Sequence, residues 1–244
     1  MNLKPSKERS SSLIRSGKAI LAEAIGVFLY TVLGSIADTK IGGSLLNGLL
    51  LGLLLYFTRL YSEGHLHPVI TIVRHLSGQS PVLWWKNYIG AQIIGGLLGG
   101  LVYTGCPYTE NQGNDTIPLL SYFLFLVASI LSFDLPETLS PMLIGQAATI
   151  LFSINNEYMD GLNPARRMGR ILHGLVYRCP SLPLAEFAWE ISVCVSVVVV
   201  SLVFFSLDRE KRQQGHERPQ EQPPPFVQKE EKDESFSDIP LDTV

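Results

Sequence analysis

Two short stretches hold the residues best placed to do chemistry: Gly64-His65-Leu66-His67-Pro68-Val69-Ile70-Thr71 in the first half of the chain and Gly161-Leu162-Asn163-Pro164-Ala165-Arg166 in the second. In each, a polar side chain stands directly before a proline, and a helical stretch of roughly two or three turns follows before a breaker. Proline suits the first helical position, where its missing N–H would have no partner anyway, and Asn ahead of it is a good N-cap. The chemistry on offer is noncovalent. A helix N-terminus carries partial positive charge and unpaired N–H groups, so two of them facing each other repel a cation or hydronium and leave a neutral dipole unopposed. Arg166 adds a fixed cation that could exclude cations and donate to a solute oxygen; the alternative is a surface arginine that snorkels to the interface.

The elements that must position these groups are apolar. Hydrophobic residues make up 46% of the 244, and the mean hydropathy is positive even though a charged C-terminal stretch dilutes it. Membrane-spanning helices of about 20 residues each are expected. They are read at 18–37, 44–61, 84–104, 117–133, 140–154 and 184–207. Residues 67–77 and 163–177 are too short to cross a bilayer, so each is expected to re-enter it. The order is two spans, a half-helix and a third span, then the same again. An odd number of spans per repeat sets the two halves in opposite orientations, so the half-helices enter from opposite faces and can meet near the midplane. The reading is an all-α membrane protein of six transmembrane helices plus two re-entrant half-helices in an inverted repeat. Residues 1–17 are read as a cytoplasmic N-terminal segment, 18–207 as the channel domain and 208–244 as a disordered cytoplasmic tail.

Charge gives the orientation. Lys4, Lys7, Arg9, Arg15 and Lys18 precede the first span, which sets both termini in the cytoplasm of a multi-pass protein of the plasma or an intracellular membrane. The connection around Asn114-Asp115-Thr116 then lies outside, where Asn114 is a glycosylation candidate. Arg166, Arg167, Arg170 and Arg178 run against this rule, and Arg166 at least is read as a pore residue rather than a topology signal. Cys106, Cys179 and Cys194 have no metal-ligand spacing and read as isolated packing or surface thiols. No metal or other cofactor and no nucleic-acid partner are expected. No nucleophile, base and orienting group converge, which argues against an enzyme.

The paired motifs resemble those of the aquaporin (major intrinsic protein) family, whose twin motifs are Asn-Pro-Ala. Here Asn163-Pro164-Ala165 is intact with its following arginine, and the first motif reads His67-Pro68-Val69. The resemblance implies a homotetramer in the bilayer that passes water and small neutral solutes such as glycerol, urea, ammonia or hydrogen peroxide. It implies that both motif side chains donate to the solute oxygen; a neutral His67 could still do so, whereas an imidazolium would add charge between two positive helix ends. Both a pH-sensitive pore and a tolerated substitution remain open. By offset from the motifs, the outer constriction falls on Asn47, Leu151, Asp160 and Arg166. Asn47 and Leu151 in those places imply an opening wider than water alone requires, and Asp160 could pair with Arg166.

Glu23, inside an apolar span, matches the family's first-repeat glutamate, which with His65 is expected to support the re-entrant loop; the alternative is a proton-relay or ion site. The equivalent stretch of the fourth span has no acid, so the second loop is expected to be held differently. Gly48 with Gly52, and Gly95, Gly96, Gly99 and Gly100, form small-xxx-small registers suited to helix contact. The tail, with Gln222-Pro223-Pro224-Pro225, reads as disordered, with Ser235 and Ser237 as phosphorylation candidates. Its final Asp242-Thr243-Val244 could be captured by a tail-binding protein. Two alternatives to a passive channel stand: a non-conducting aquaporin-like membrane protein with a structural or assembly role, and a secondary transporter, for which only Glu23 is available as an acid.

Overall fold

The computed structural model describes residues 6–38, 40–78, 85–103, 116–132, 135–136, 138–154, 163–178 and 184–216. Among them eight helices follow one another: α1 (Ser6–Asp38), α2 (Gly43–Arg59), α3 (Pro68–Leu76), α4 (Trp85–Val102), α5 (Thr116–Ser132), α6 (Leu139–Ile154), α7 (Pro164–Tyr177) and α8 (Leu184–His216). The ends agree with the spans read from sequence to within two residues, except that α1 begins at Ser6 and α8 runs on to His216. The disorder expected from residue 208 is therefore corrected for 208–216, which are helical. The chain divides into two units, Met1–Leu207 and Asp208–Val244.

The short helices stop where their sequences make them stop. α3 ends at Ser77 and Gly78, with Gly78 in the left-handed region (φ 73°), and α7 ends on Arg178 (φ 54°). The stretch Ser16–Asp38 is long and apolar enough to cross a membrane by length and composition alone, and the apolar helices Gly43–Arg59, Tyr122–Ser132, Leu139–Leu151 and Ile191–Leu207 are shorter. Large apolar side chains such as Leu21, Ile25, Leu33, Leu49, Leu53 and Val203 are left exposed on the long helices. Such faces suit lipid. Because lipid tails are as apolar as leucine, packing rather than hydrophobic burial must hold the helices together.

Glycine supplies that packing. A Cβ on Gly95 would strike Ala24 O, and one on Gly99 would press on Thr31 and Phe28 O, all on α1. The row beside it faces α7: Gly96 lies against Ala165 O and Gly100 against Gly169 O. Each register on α4 thus serves a different neighbour. Gly48 and Gly52 on α2 meet Gly145 on α6 in the same way. The buried centre, which includes Val27, Tyr30, Leu55, Val69, Ile70 and Phe125, surrounds the start of α3.

Candidate functional site

The starts of the two half-helices meet. His67 has extended backbone (φ −150°, ψ 122°), and its Nδ1 accepts from the Val69 N–H at 3.2 Å. That role assigns the neutral tautomer with its proton on Nε2. Asn163 is likewise extended (φ −139°, ψ 110°), and its Oδ1 accepts from the N–H groups of Ala165 at 3.0 Å and Arg166 at 3.4 Å. Its amide Nδ2 then donates to Leu66 O at 2.6 Å, one residue ahead of the first motif. Two partly positive helix ends therefore face each other across one carbonyl.

Leu66 is buried with φ 47°, a left-handed conformation that a leucine adopts at a cost of about 1–3 kcal/mol. Its surroundings hold it there. Glu23 Oε2 accepts from Leu66 N at 2.7 Å and from Gln92 Nε2 at 2.8 Å, while Oε1 accepts from His65 N at 2.9 Å and Ser62 Oγ at 2.7 Å. Four donors around a fully buried carboxylate satisfy what an apolar span otherwise could not. His65 is within hydrogen-bonding distance of Thr71 Oγ1 (Nδ1, 3.1 Å) and Glu63 Oε2 (Nε2, 3.0 Å), and its ring meets Tyr88 edge-on at 5.7 Å. Thr71 in turn accepts from Gln92 Nε2 at 3.0 Å and donates to His67 O at 3.1 Å.

A second polar cluster lies at the C-terminal end of α1. Arg166 is fully buried, with its guanidinium carbon 4.7 Å from the Tyr30 ring centroid. Nη1 donates to Asn47 Oδ1 at 3.2 Å and Nη2 to Asp38 Oδ2 at 2.7 Å. Arg170, one turn on, donates through Nη1 to the same Asp38 oxygen at 3.2 Å and to Ser35 Oγ at 3.2 Å. Asn47 Nδ2 reaches Asp38 Oδ1 at 2.7 Å and Gly43 O at 3.1 Å. At the junction is a cavity of about 10 Å³ with His65, His67, Asn163 and Tyr30 among its lining, the rest being apolar residues such as Leu51, Ile70, Phe125 and Ile144. That is room for about one water.

No family model matches the chain. The lens fiber major intrinsic protein of Gallus gallus is 36% identical over 226 aligned residues, which cover 76% of this chain and 84% of that relative. The chain belongs to the aquaporin (major intrinsic protein) family. A probable aquaporin of NIP type from Nicotiana alata is 29% identical over 196 residues, covering 69% of this chain and 72% of its own length. The helical architecture is the aquaporin-like all-α membrane fold.

Within this aquaporin, the structure brings His67, Pro68, Val69, Asn163, Pro164 and Ala165 together at one junction, with Glu23 and His65 beside it. Asn47 and Arg166 share the other cluster, whereas Leu151 on α6 is partly buried against the apolar centre. Asp160 and Asn114 lie outside the described residues. So do Cys106 and Cys179, while Cys194 is buried and unoxidised. Asn47 has its amide on Asp38 and its carbonyl on Arg166, and among the described residues Arg166 carries the carboxylate of Asp38, which the sequence did not single out. In the second half, where no acid was available, Tyr122 Oη and Cys194 Sγ, both buried and 3.0 Å apart, join α5 to α8.

Proposed function

We propose that this aquaporin is a passive channel for water, and for neutral solutes little larger than water, that excludes ions and protons. The observation that carries this reading is the meeting of two half-helix N-termini beside a small, mostly apolar cavity. Positive helix ends on both sides of the junction oppose a cation or hydronium, and a neutral molecule with one oxygen meets no such barrier. His67 contributes an imidazole with its proton on the ring nitrogen away from the cap, a donor in place of an amide. The cavity admits about one water at a time, which favours water and hydrogen peroxide over glycerol. The protein works as a homotetramer in a plasma or intracellular membrane with both termini cytoplasmic, and glycosylation at Asn114 fits that orientation.

One observation favours a second reading, a non-conducting membrane protein with a structural or assembly role. The Asn163 amide and the Leu66 carbonyl, the donor and acceptor best placed for a passing solute, bond each other. Osmotic shrinkage of reconstituted vesicles separates the two. A conducting protein shrinks its vesicles faster than empty ones under a sucrose gradient, and glycerol enters more slowly than water. Equal rates in protein-containing and empty vesicles leave the structural role.

A further inference from the structure

We infer that Glu63 is a positioning residue that holds His65 as an imidazolium at the half-helix junction, so that the ring adds a full positive charge to the wall a permeating proton must pass. The functional consequence rests on the channel reading above; the ion pair itself rests on geometry. Gly64 has φ 64°, in the left-handed region, and a Cβ there would strike Arg59 Cγ and come within 3.0 Å of Leu55 O. Glycine alone fits that turn without strain. The turn folds Glu63 back onto the residue two places on, with Oε2 3.0 Å from His65 Nε2. Arg74 Nε lies 3.8 Å from the same oxygen and favours the ionised carboxylate, which can only accept. His65 Nε2 therefore carries a proton.

Thr71 decides the other ring nitrogen. Its hydroxyl has one proton, and His67 O, 3.1 Å away, can only accept it. Gln92 Nε2 points at Thr71 Oγ1 from 3.0 Å, and the Glu23 carboxylate 2.8 Å from the same nitrogen fixes which way round that amide lies. One lone pair of Oγ1 is then left for His65 Nδ1 at 3.1 Å, so Nδ1 donates as well. Only a ring protonated on both nitrogens satisfies the whole set. A neutral ring would take the Thr71 proton for itself and set lone pair against lone pair at His67 O. The charges around the ring divide. Glu63 and Glu23, whose Oε1 accepts from His65 N at 2.9 Å, favour the cation; Arg74, Arg59 beside Gly64 and the positive start of α3 oppose it, while Tyr88 and His67 present neutral rings. The carboxylate in direct contact outweighs cations farther off, because the Coulomb energy falls with distance. His65 is 1% exposed and the Glu63 side chain 26%, and of the pair His65 is the member that lines the junction cavity. The positive end of the pair thus faces the path, where the helix N-termini supply only about half a charge each.

Nitrogen-15 NMR of the full chain in lipid nanodiscs at pH 7, with labelled histidine, tests the ion pair. The wild type is expected to show an imidazolium signal that is absent from His65→Gln. Glu63→Gln is expected to convert it to the signal of a neutral ring, and Glu63→Asp, which keeps the charge, to retain it. A neutral His65 in the wild type overturns the inference, as does an imidazolium that survives Glu63→Gln. Loss of the signal in Glu63→Asp as well makes the role of Glu63 one of loop shape rather than charge, and also overturns it. Where His65→Gln is not monodisperse, the two Glu63 variants carry the test: a signal that vanishes in Glu63→Gln and persists in Glu63→Asp supports the pair, and the lack of any such signal defeats it. In vesicles at pH 7, the proton leak driven by a potassium gradient with valinomycin is expected to rise by about threefold or more in Glu63→Gln, because a charge at the cavity wall is lost. A leak unchanged in Glu63→Gln while its ring has become neutral overturns the part given to the pair in excluding protons. Wild-type water flux equal to that of empty vesicles defeats the channel reading instead, while the NMR still decides the ion pair.

Discussion

His67 does two jobs with one ring. Nδ1 caps α3 by accepting the Val69 N–H, and the proton on the other nitrogen leaves the imidazole neutral beside a second helix N-terminus. A proton on Nδ1 would cancel the cap and put a full charge where two partial ones already repel it. Water permeability of wild type and His67→Asn is therefore expected to run parallel across about pH 5 to 8, the range in which histidine ordinarily titrates. A stopped-flow series in which only the His67 protein loses flux toward acid pH would overturn that expectation and make the ring a proton sensor. At this scale some residues announce themselves in sequence and others do not. Glu23 is legible because an acid in an apolar run demands partners, and the Asn163-Pro164 and His67-Pro68 pairs because they can only begin helices. Asp38 is not legible: an acid followed by Thr39-Lys40 after an apolar span reads as a solvated helix end, and its partners Arg166 and Arg170 are more than a hundred residues away in the chain.

The half-helices and spans could be read almost to the residue because proline, glycine and polar breaks mark their ends. Harder to read was which helix each glycine row faces. Four glycines on α4 advertise close contact, but only the folded bundle assigns Gly95 and Gly99 to α1 and Gly96 and Gly100 to α7. The assignment can be tested by pairing two alanine substitutions on the same helix. Gly96→Ala puts a methyl group into Ala165 O, and overpacking of this kind costs about 1–3 kcal/mol. Gly90→Ala meets nothing within 4 Å and removes a helix-weakening glycine, so it is expected to be neutral or stabilising by up to about 1 kcal/mol. Thermal unfolding of the detergent-solubilised protein compares them directly; equal melting temperatures would contradict the packing seen between α4 and α7.

For the molecule as a whole, the proposed topology has both termini in the cytoplasm, and on that proposal Asn114 belongs to a connection on the opposite side. Expressed in glycosylating cells, the wild type is expected to lose mass on treatment with a peptide N-glycosidase, and Asn114→Gln to migrate at the trimmed mass without treatment. Persistence of the mass shift in Asn114→Gln would move the modification elsewhere and withdraw that support for the topology. The two glycine rows of α4 also bear on the ion pair between Asp38 and Arg166. One row fastens α1, which ends in Asp38; the other fastens α7, which begins with the turn that holds Arg166. Carboxylate and guanidinium touch directly, and α4 holds both of the helices that carry them. α4 acts as a common brace, so a methyl group added on either row would shift one partner of that ion pair relative to the other.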